Sequence, residues 1–453
     1  MAIHARRALL SENWAQDVRV TVDEMRVAAV ETGVAPRAGD RRVDALLPAP
    51  GNLHSHSFQR AMAGMTEHRA SGHDNFWSWR ELMYRFLDRL DPEQIEAIAG
   101  LVFMEMMEAG YAAVGEFHYV HHQPGGAPYD DPAELSGCIC AAAVEAGIGL
   151  THLPVLYTYG GAVKTPLAGG QRRFGNDLDR FQALVQAARR HMVHLPGDAA
   201  LGVAPHSLRA TSPDELCALL DAFPEGPVHI HAAEQLQEVE QVYDWLGARP
   251  VEWLLDNSDV DGRWCLIHAT HMSEAETLGL VASGAVAGLC PITESNLGDG
   301  IFDGARFLDA GGMFGIGSDS NIRIALGEEL RTFEYSQRLR DRARNVLASA
   351  GRSVGSALYA GALQGSAKAL NRNSGEIAVG RLADMVAIDG NAPALCALRD
   401  DQLLDGMIFA AGEGVVRDVW SAGRHMVEHG RHKGRDAILA RYRKAIGSLL
   451  DAM

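Results

Sequence analysis

The stretch "LPAPGNLHSHSFQRAMAG" (47–64) places His54 and His56 two apart at the end of an apolar run. Residues i and i+2 of a strand face the same side, so this pair can aim two imidazoles at one point. The spacing recurs in "HIHAAE", where His229 and His231 precede Glu234 by five and three positions. Neutral imidazoles together with a carboxylate suit a borderline divalent cation such as Zn2+, with one position left open for water. More polar residues close other apolar runs: Glu116, His118 and Tyr119 in "GEFHY", and His206, Ser207 and Arg209 in "APHSLRA". "LIHATH" contributes His268 and His271, and "GIGSDSN" contributes Asp319. A lone buried histidine is usually a hydrogen-bonded core residue. Polar groups at several strand ends, where a buried strand should remain apolar, point instead to a shared metal site. His121, His122 and His271 read as loop residues outside that site, and "FWSW" (76–79) reads as a hydrophobic plug.

These side chains meet only if their elements bring them to one place. Apolar runs suggest strands at "DALLPAPGNLHSH", "AAVGEFHYV", "GIGLTHLPVLYTY", "AALGVAPHSL", "GPVHIHAAE", "RWCLIHATH", "GAVAGLCPITE" and "GMFGIGSDS". Helical periodicity separates most of them, at 92–109, 131–146, 177–194, 212–222 and 273–281 and from about 326 onward. Short, continuously apolar strands alternating with helices predict a parallel sheet buried on both faces. Eight such units, with no G-x-G-x-x-G after the first strand, favour a (β/α)8 TIM-type barrel over an open doubly wound sheet. In a barrel the C-terminal strand ends share one mouth, which is where the polar residues fall. Before residue 46, Val18, Val20 and Val22 alternate with Arg19, Thr21 and Asp23, the period of a half-buried strand. β-rich character returns at 375–390 and 414–430. A small β-domain built from both chain ends is therefore expected, with residues 1–46 and 371–453 flanking a catalytic barrel over 47–370 and a terminal helix from about 435 to 450.

The chain has 453 residues, enough for one large barrel and an accessory domain. A formal charge of −17 argues against nucleic-acid or anionic-membrane partners. It also means that an anionic substrate would need local arginines. Six scattered cysteines without a C-x-x-C pair suggest reduced thiols, and no apolar leader or run of about 20 apolar residues stands out, so a cytoplasmic location is expected. There is no H-E-x-x-H, P-loop or P-C-x-x-C.

Together, "HSH", "HAAE", His268 on the sixth strand and "SDSN" resemble the amidohydrolase superfamily, specifically its aminohydrolase (deaminase) branch. "GEIAVGRLADMVAID" looks like the segment with which these proteins re-enter their small β-domain, so the resemblance spans essentially the whole chain. Within the branch, "GNLHSHSFQRAMAG" and "GVAPHSLRA" are similar to the N-formimidoyl-L-glutamate deiminases of histidine degradation. The resemblance implies that His54, His56, His231 and Asp319 hold one divalent metal ion, expected to be Zn2+. It implies catalytic work for Glu234, His268 and Asp319, and substrate contacts for Gln59, Arg80, Tyr119, His206 and Arg209, with Arg80 expected in a loop. Asp319, with His268, would take a proton from water, and Glu234 would protonate the nitrogen that leaves as ammonia. Lys164 falls in a loop after the third strand, so no fourth-strand lysine is placed for carbamylation, which disfavours the binuclear branches. The implied partner is a small molecule with two carboxylates, which Arg80 and Arg209 could meet through planar, charge-assisted contacts. Analogy with such barrels also allows a homodimer.

Three other readings fit parts of the pattern. Another aminohydrolase, acting on guanine, a related purine, a pterin or an s-triazine, would share the metal set but need a stacking pocket. A cyclic-amide hydrolase such as imidazolonepropionase would release no ammonia. A non-catalytic barrel with a closed structural metal site would need neither Glu234 nor His268.

Overall fold

The computed structural model describes residues 1–11, 13–67, 76–348, 351–412 and 414–451. The fold is α/β. Eight apolar segments form parallel strands where expected: Gly51–Ser55, Ala113–His118, Gly149–Leu156, a fourth in two pieces (Ala200–Leu201 and Ala204–Pro205), Val228–Ala232, Trp264–His268, Val286–Leu289 and Met313–Ile316. They are referred to below as the first to eighth parallel strands. Each pairs in parallel with its neighbour in chain order. The two sheets they form are linked by isolated parallel bridges, Val203 to Val228 and Ser55 to Asp319. Helices such as Pro92–Glu108, Glu134–Ala146, Leu178–Met192 and Val354–Ala369 cover them. Most strand positions are fully buried, because helices on one side and side-chain layers on the other leave no face in water.

The small sheet has eight strands drawn from both ends of the chain. Ala2–Leu10 pairs antiparallel with Asn13–Asp23 and parallel with Arg41–Pro48, which pairs antiparallel with Met385–Ile388. Val18, Val20 and Val22 face its apolar core, as their alternation predicts, beside Trp420. A buried ionic cluster ties this sheet to the parallel strands. Arg372 donates to Asp384 at 2.6 Å and to Asp198 at 2.8 Å, and Asp198 also accepts from Arg424 at 2.8 Å.

Several local expectations need correction. "DALLPAPGNLHSH" is not one strand. Arg41–Pro48 belongs to the small sheet, and the chain turns at Ala49 and Pro50 before the first parallel strand begins. The proline at 48 ends the ladder because it has no N–H to donate. The fourth strand is interrupted at Gly202, where an added Cβ would lie 2.5 Å from the Pro227 carbonyl oxygen. Arg80, expected in a loop, lies on the helix Phe76–Leu87. The plug reading of "FWSW" concerns side chains that, apart from Trp79, lie outside the described residues. Two helices after the fifth strand, Leu236–Leu246 and Pro250–Asn257, have no counterpart in the sequence reading. The terminal helix, Arg435–Asp451, packs its Ile438 against Leu101 and Met104.

Candidate active site

His54 and His56 flank the last residue of the first parallel strand, His231 is next to the last in the fifth, and Asp319 follows the eighth; all four are buried. Their ligand atoms lie within 4.8 Å of one another. The Nε2 atoms of His54 and His231 are 3.1 Å apart, and Asp319 Oδ1 is 3.2 Å from His56 Nε2 and 3.5 Å from His54 Nε2. Two of the three outer nitrogens are held from behind. His56 Nδ1 donates to the Phe117 carbonyl at 3.0 Å, and His231 Nδ1 to the His206 carbonyl at 3.1 Å. Protons on Nδ1 leave the Nε2 lone pairs aimed at a common centre. Burial pushes the pKa of all three imidazoles down, which keeps them neutral. Neutral nitrogen lone pairs facing one another and a carboxylate are mutually repulsive unless a cation lies between them. This donor set therefore fits a divalent metal ion.

The close approach of the first and eighth strands rests on Gly317. A Cβ there would lie 2.7 Å from His54 Cβ and 2.8 Å from its carbonyl oxygen. Beyond it, Asp319 N–H donates to the His54 carbonyl at 3.0 Å, and His56 N–H to the Asp319 carbonyl at 2.9 Å. A buried amide and hydroxyl chain continues the lock. Asn52 Nδ2 donates to Ser318 Oγ at 2.6 Å, Ser318 Oγ donates to Asn321 Oδ1 at 2.6 Å, and Asn321 Nδ2 donates to Ser55 Oγ at 3.2 Å. The backbone is left-handed at Ala233 (φ 52°), His268 (φ 67°), Ala269 (φ 49°), Asp319 (φ 47°) and Asn321 (φ 55°). Such conformations cost on the order of 1–3 kcal/mol each and persist where the surroundings over-determine them. Here they mark the turns that carry the chemistry-bearing side chains.

Glu234 leaves the fifth strand through one of these turns. The buried Glu238 accepts from the backbone N–H of Glu234 at 3.0 Å and of Ala233 at 3.3 Å, which fixes the turn from the first turn of the following helix. Burial pushes the Glu234 carboxyl up to about 7, assisted by the charges of Glu238 and Asp319 and opposed by His268. His268 Nε2 lies 3.8 Å from Glu234 Oε1 and 3.9 Å from Asp319 Oδ2, while its Nδ1 is 3.2 Å from Glu294 Oε1. Burial alone would lower the His268 pKa, but the surrounding carboxylates hold it well above the ordinary value.

The expected substrate contacts Gln59, Arg80, Tyr119, His206 and Arg209 all line one pocket with His56, His231, Glu234, His268 and Asp319. Gln59 Nε2 donates to the Tyr119 hydroxyl at 2.7 Å, and Arg80 Nη2 donates to the Tyr157 hydroxyl at 2.8 Å. Burial lowers the His206 pKa, and the charges of Arg209 and Arg80 lower it further. Residues outside the expected set also line the wall, among them Trp79, Tyr84, Tyr157 and Phe174. Tyr157 ends a run already read as a strand, and Glu238 and Glu294 look like ordinary early-helix acids, so nothing in the sequence marked them.

Other expected polar residues lie elsewhere. His229 Nε2 meets the Ala369 carbonyl at 2.8 Å, so it is not a partner of His231 at a metal. His118, His121 and His152 form a buried cluster away from the pocket, with ring centroids of His118 5.4 Å from each of the other two. His271 bonds the Asp299 carbonyl at 2.8 Å.

Comparison with known proteins agrees with this geometry. The amidohydrolase family model matches residues 45–426, and the model for the N-terminal domain of formimidoylglutamate deiminase HutF matches residues 1–44. A formimidoylglutamate deiminase of Pseudomonas aeruginosa is 50% identical over 456 residues, covering 99% of this chain and 100% of its own. A crystal structure of an amidohydrolase from Brucella melitensis superposes with a TM-score of 0.96 at 50% identity, covering 99% of both chains. A zinc-bound adenosine deaminase from Xanthomonas campestris shares the fold, with a TM-score of 0.82 at 22% identity over 99% of this chain and 98% of its own. With its four-residue donor set and its full-length likeness to such proteins, the chain belongs to the amidohydrolase family.

Proposed function

We propose that the protein hydrolyses N-formimidoyl-L-glutamate to N-formyl-L-glutamate and ammonia, a step of histidine degradation. The observation that carries this reading is one pocket uniting the His54, His56, His231 and Asp319 region with Glu234, His268 and two guanidiniums, Arg80 and Arg209. Its support from relatives is the half-identical P. aeruginosa deiminase and the N-terminal domain match. The eight strands and their linking bridges are read as a (β/α)8 barrel, with the pocket at its C-terminal mouth. Residues 1–46, 47–370 and 371–453 are read as the first part of the small domain, the barrel, and the rest of the small domain with its helix. Six free thiols, four of them buried, suit a reducing cytoplasm. Among the described residues no helix is long and apolar enough to cross a membrane.

His54, His56, His231 and Asp319 hold one zinc ion in this reading. When bound, zinc supplies Lewis acidity and lowers the pKa of a coordinated water toward about 7. Arg209 and Arg80 bind the two substrate carboxylates, an anchorage that an acidic protein must build locally. Gln59, Tyr119 and His206 complete the polar wall, while Trp79 and Phe174 exclude bulk water. Asp319 Oδ2, facing His268 Nε2, takes the proton from the attacking water. Glu234, whose carboxyl burial pushes up to about 7, holds a proton in about half of the molecules near pH 7 and passes it to the imino nitrogen. Attack makes that nitrogen an amine; the proton held by Asp319 then passes to it, the C–N bond breaks with its electron pair leaving as ammonia, and the remaining hydroxyl proton returns to Glu234 as the carbon keeps the oxygen of water as a formyl group.

The test offers zinc-loaded protein N-formimidoyl-L-glutamate, N-formimidoyl-L-aspartate and guanine in parallel, measuring ammonia and identifying products by mass. Ammonia and N-formyl-L-glutamate from the first substrate are expected. Turnover of guanine with none of the first would overturn the carboxylate reading of the two arginines.

A further inference from the structure

The pocket shows only one side of His268. Its Nε2 faces Glu234 and Asp319, and its Nδ1 points the other way, to Glu294 Oε1 at 3.2 Å. Glu294 does not line the pocket. It lies on the short helix Pro291–Leu297 that follows the seventh parallel strand, almost fully buried, and the same oxygen accepts the Cys290 backbone N–H at 2.9 Å. That second bond fixes the carboxylate from below. An ionised carboxylate only accepts hydrogen bonds, so the nitrogen it meets must carry the proton. The backbone adds a reason for outside support: His268 stands at φ 67°, a conformation that a β-strand terminus does not adopt unaided. Freed of Glu294, the ring could rotate and leave its Nδ1 proton without an acceptor.

We propose that Glu294 is a positioning residue for the hydrolysis: it holds the Nδ1 proton of His268 and so fixes Nε2 as the nitrogen presented to the reacting groups. The proposal rests on the reading of His268 as part of that chemistry. The logic is that of a buried carboxylate behind a general-base histidine, which sets tautomer and orientation without itself touching substrate. It explains why a carboxylate is buried outside the pocket, within reach of one pocket residue, His268. It also accounts for the join between neighbouring strands: the sixth supplies the imidazole and the seventh its support.

The test is Glu294→Gln, which keeps the shape and an acceptor for Cys290 N–H and removes the charge. The expected result is a fall in kcat of about 10²-fold, in the range lost when positioned proton transfer is disturbed. KM, zinc content and unfolding midpoint should stay near wild type, because substrate anchors and metal donors are untouched. In a double-mutant cycle with His268→Asn, the Glu294→Gln loss should disappear, since the two residues act as one unit. Nitrogen-15 spectra of the imidazoles in the unsubstituted protein should show His268 Nδ1 protonated. Wild-type kcat in Glu294→Gln, full additivity with His268→Asn, or an unprotonated Nδ1 would each overturn the proposal. If Glu294→Gln does not fold, the imidazole spectrum of the unsubstituted protein decides alone. Full activity of His268→Asn, with Nδ1 protonated in the parent, would instead sink the role of His268 in the reaction.

Discussion

Gly317 makes a sharp prediction, because its geometry leaves an added methyl no exit. The Cβ of an alanine there would lie 2.7 Å from His54 Cβ, 2.8 Å from His54 O and 3.0 Å from His54 N. Carbon atoms in contact settle at about 3.5–4.0 Å, so the two strand ends must part by roughly 0.8 Å or more. None of the three atoms is the far end of a flexible side chain, so backbone must move. The displaced segments carry His54 on one side and Asp319, two residues on, on the other. Metal and catalytic constellations tolerate only about 0.5 Å of displacement, and an error of about 1 Å can cost 10²-fold in rate. Gly317→Ala is therefore expected to weaken zinc binding by about 10–100-fold and to lower kcat by about 10²-fold. Overpacking should cost about 1–3 kcal/mol of stability besides. Zinc affinity would be measured by competition with a chromogenic chelator, and kcat by ammonia release at saturating metal. Gly447→Ala, in the terminal helix with no atom within 4 Å of the added Cβ, is the control and should leave both unchanged. Wild-type zinc affinity and kcat in a folded Gly317→Ala protein would refute the idea that this approach aligns the donors.

Three further outcomes follow from the site and its surroundings. Glu234→Gln should retain zinc and lose about 10²–10⁴-fold in kcat, read by metal analysis beside ammonia release; full turnover would remove Glu234 as the proton donor. Arg209→Lys keeps the charge but not the planar fork, so KM for N-formimidoyl-L-glutamate should rise about tenfold or more, whereas an unchanged KM would take Arg209 off the carboxylate. His121 and His152 are pushed down to about 3 by burial, aided by the charges of His122 and His191 respectively. The unfolded chain, with histidines near 6.5, binds more protons than the folded one between pH 3 and 6.5. Stability from these residues is complete above pH 6.5 and falls as the pH drops, by about 2 kcal/mol each at pH 5. Urea unfolding of metal-free protein should show it, with the pH 7-to-5 difference in stability about 2 kcal/mol smaller in His152→Gln than in the parent; an equal difference in the two proteins would count against neutral burial of His152.

Strand-level organisation was legible because the parallel strands are apolar on both faces and stand out as short runs between helices of a different period. The ligand positions stood out for the complementary reason. His54, His56 and His231 are polar where such a run should not be, and the two-residue spacing gives their shared direction. His229 had the same spacing and a different fate, since position along the strand decides whether the side chain reaches the mouth or the Ala369 carbonyl below. Asp319 stood among the polar strand ends, but its place as a metal ligand came from motif resemblance, because a lone aspartate after "GIGS" is also an ordinary turn residue. Supporting groups were illegible for a physical reason. Glu238 and Glu294 occupy early-helix positions that favour acids in any protein, and only tertiary contacts distinguish a buried carboxylate from a surface one. Gly317 is equally silent, because the demand for a missing side chain comes from a strand far away in sequence. Arg80 was placed in the right pocket on the wrong element, since the helical spacing of "FWSWRELMYRFL" is masked by the aromatic cluster at its start.

The small sheet carries a consequence for how the protein is made. Arg41–Pro48 finds one neighbour early, in Ala2–Leu10, but its other edge is covered by Met385–Ile388, roughly 340 residues later. At about 5–20 residues per second, a ribosome leaves that hydrogen-bonding edge bare for about 17–70 s. During that time Leu46 and Leu47, both fully buried at the end, stand on an open strand that invites pairing with another nascent chain. Completion of the sheet is thus a late event in biogenesis, and the window before it is where chaperone binding or misassembly would be decided.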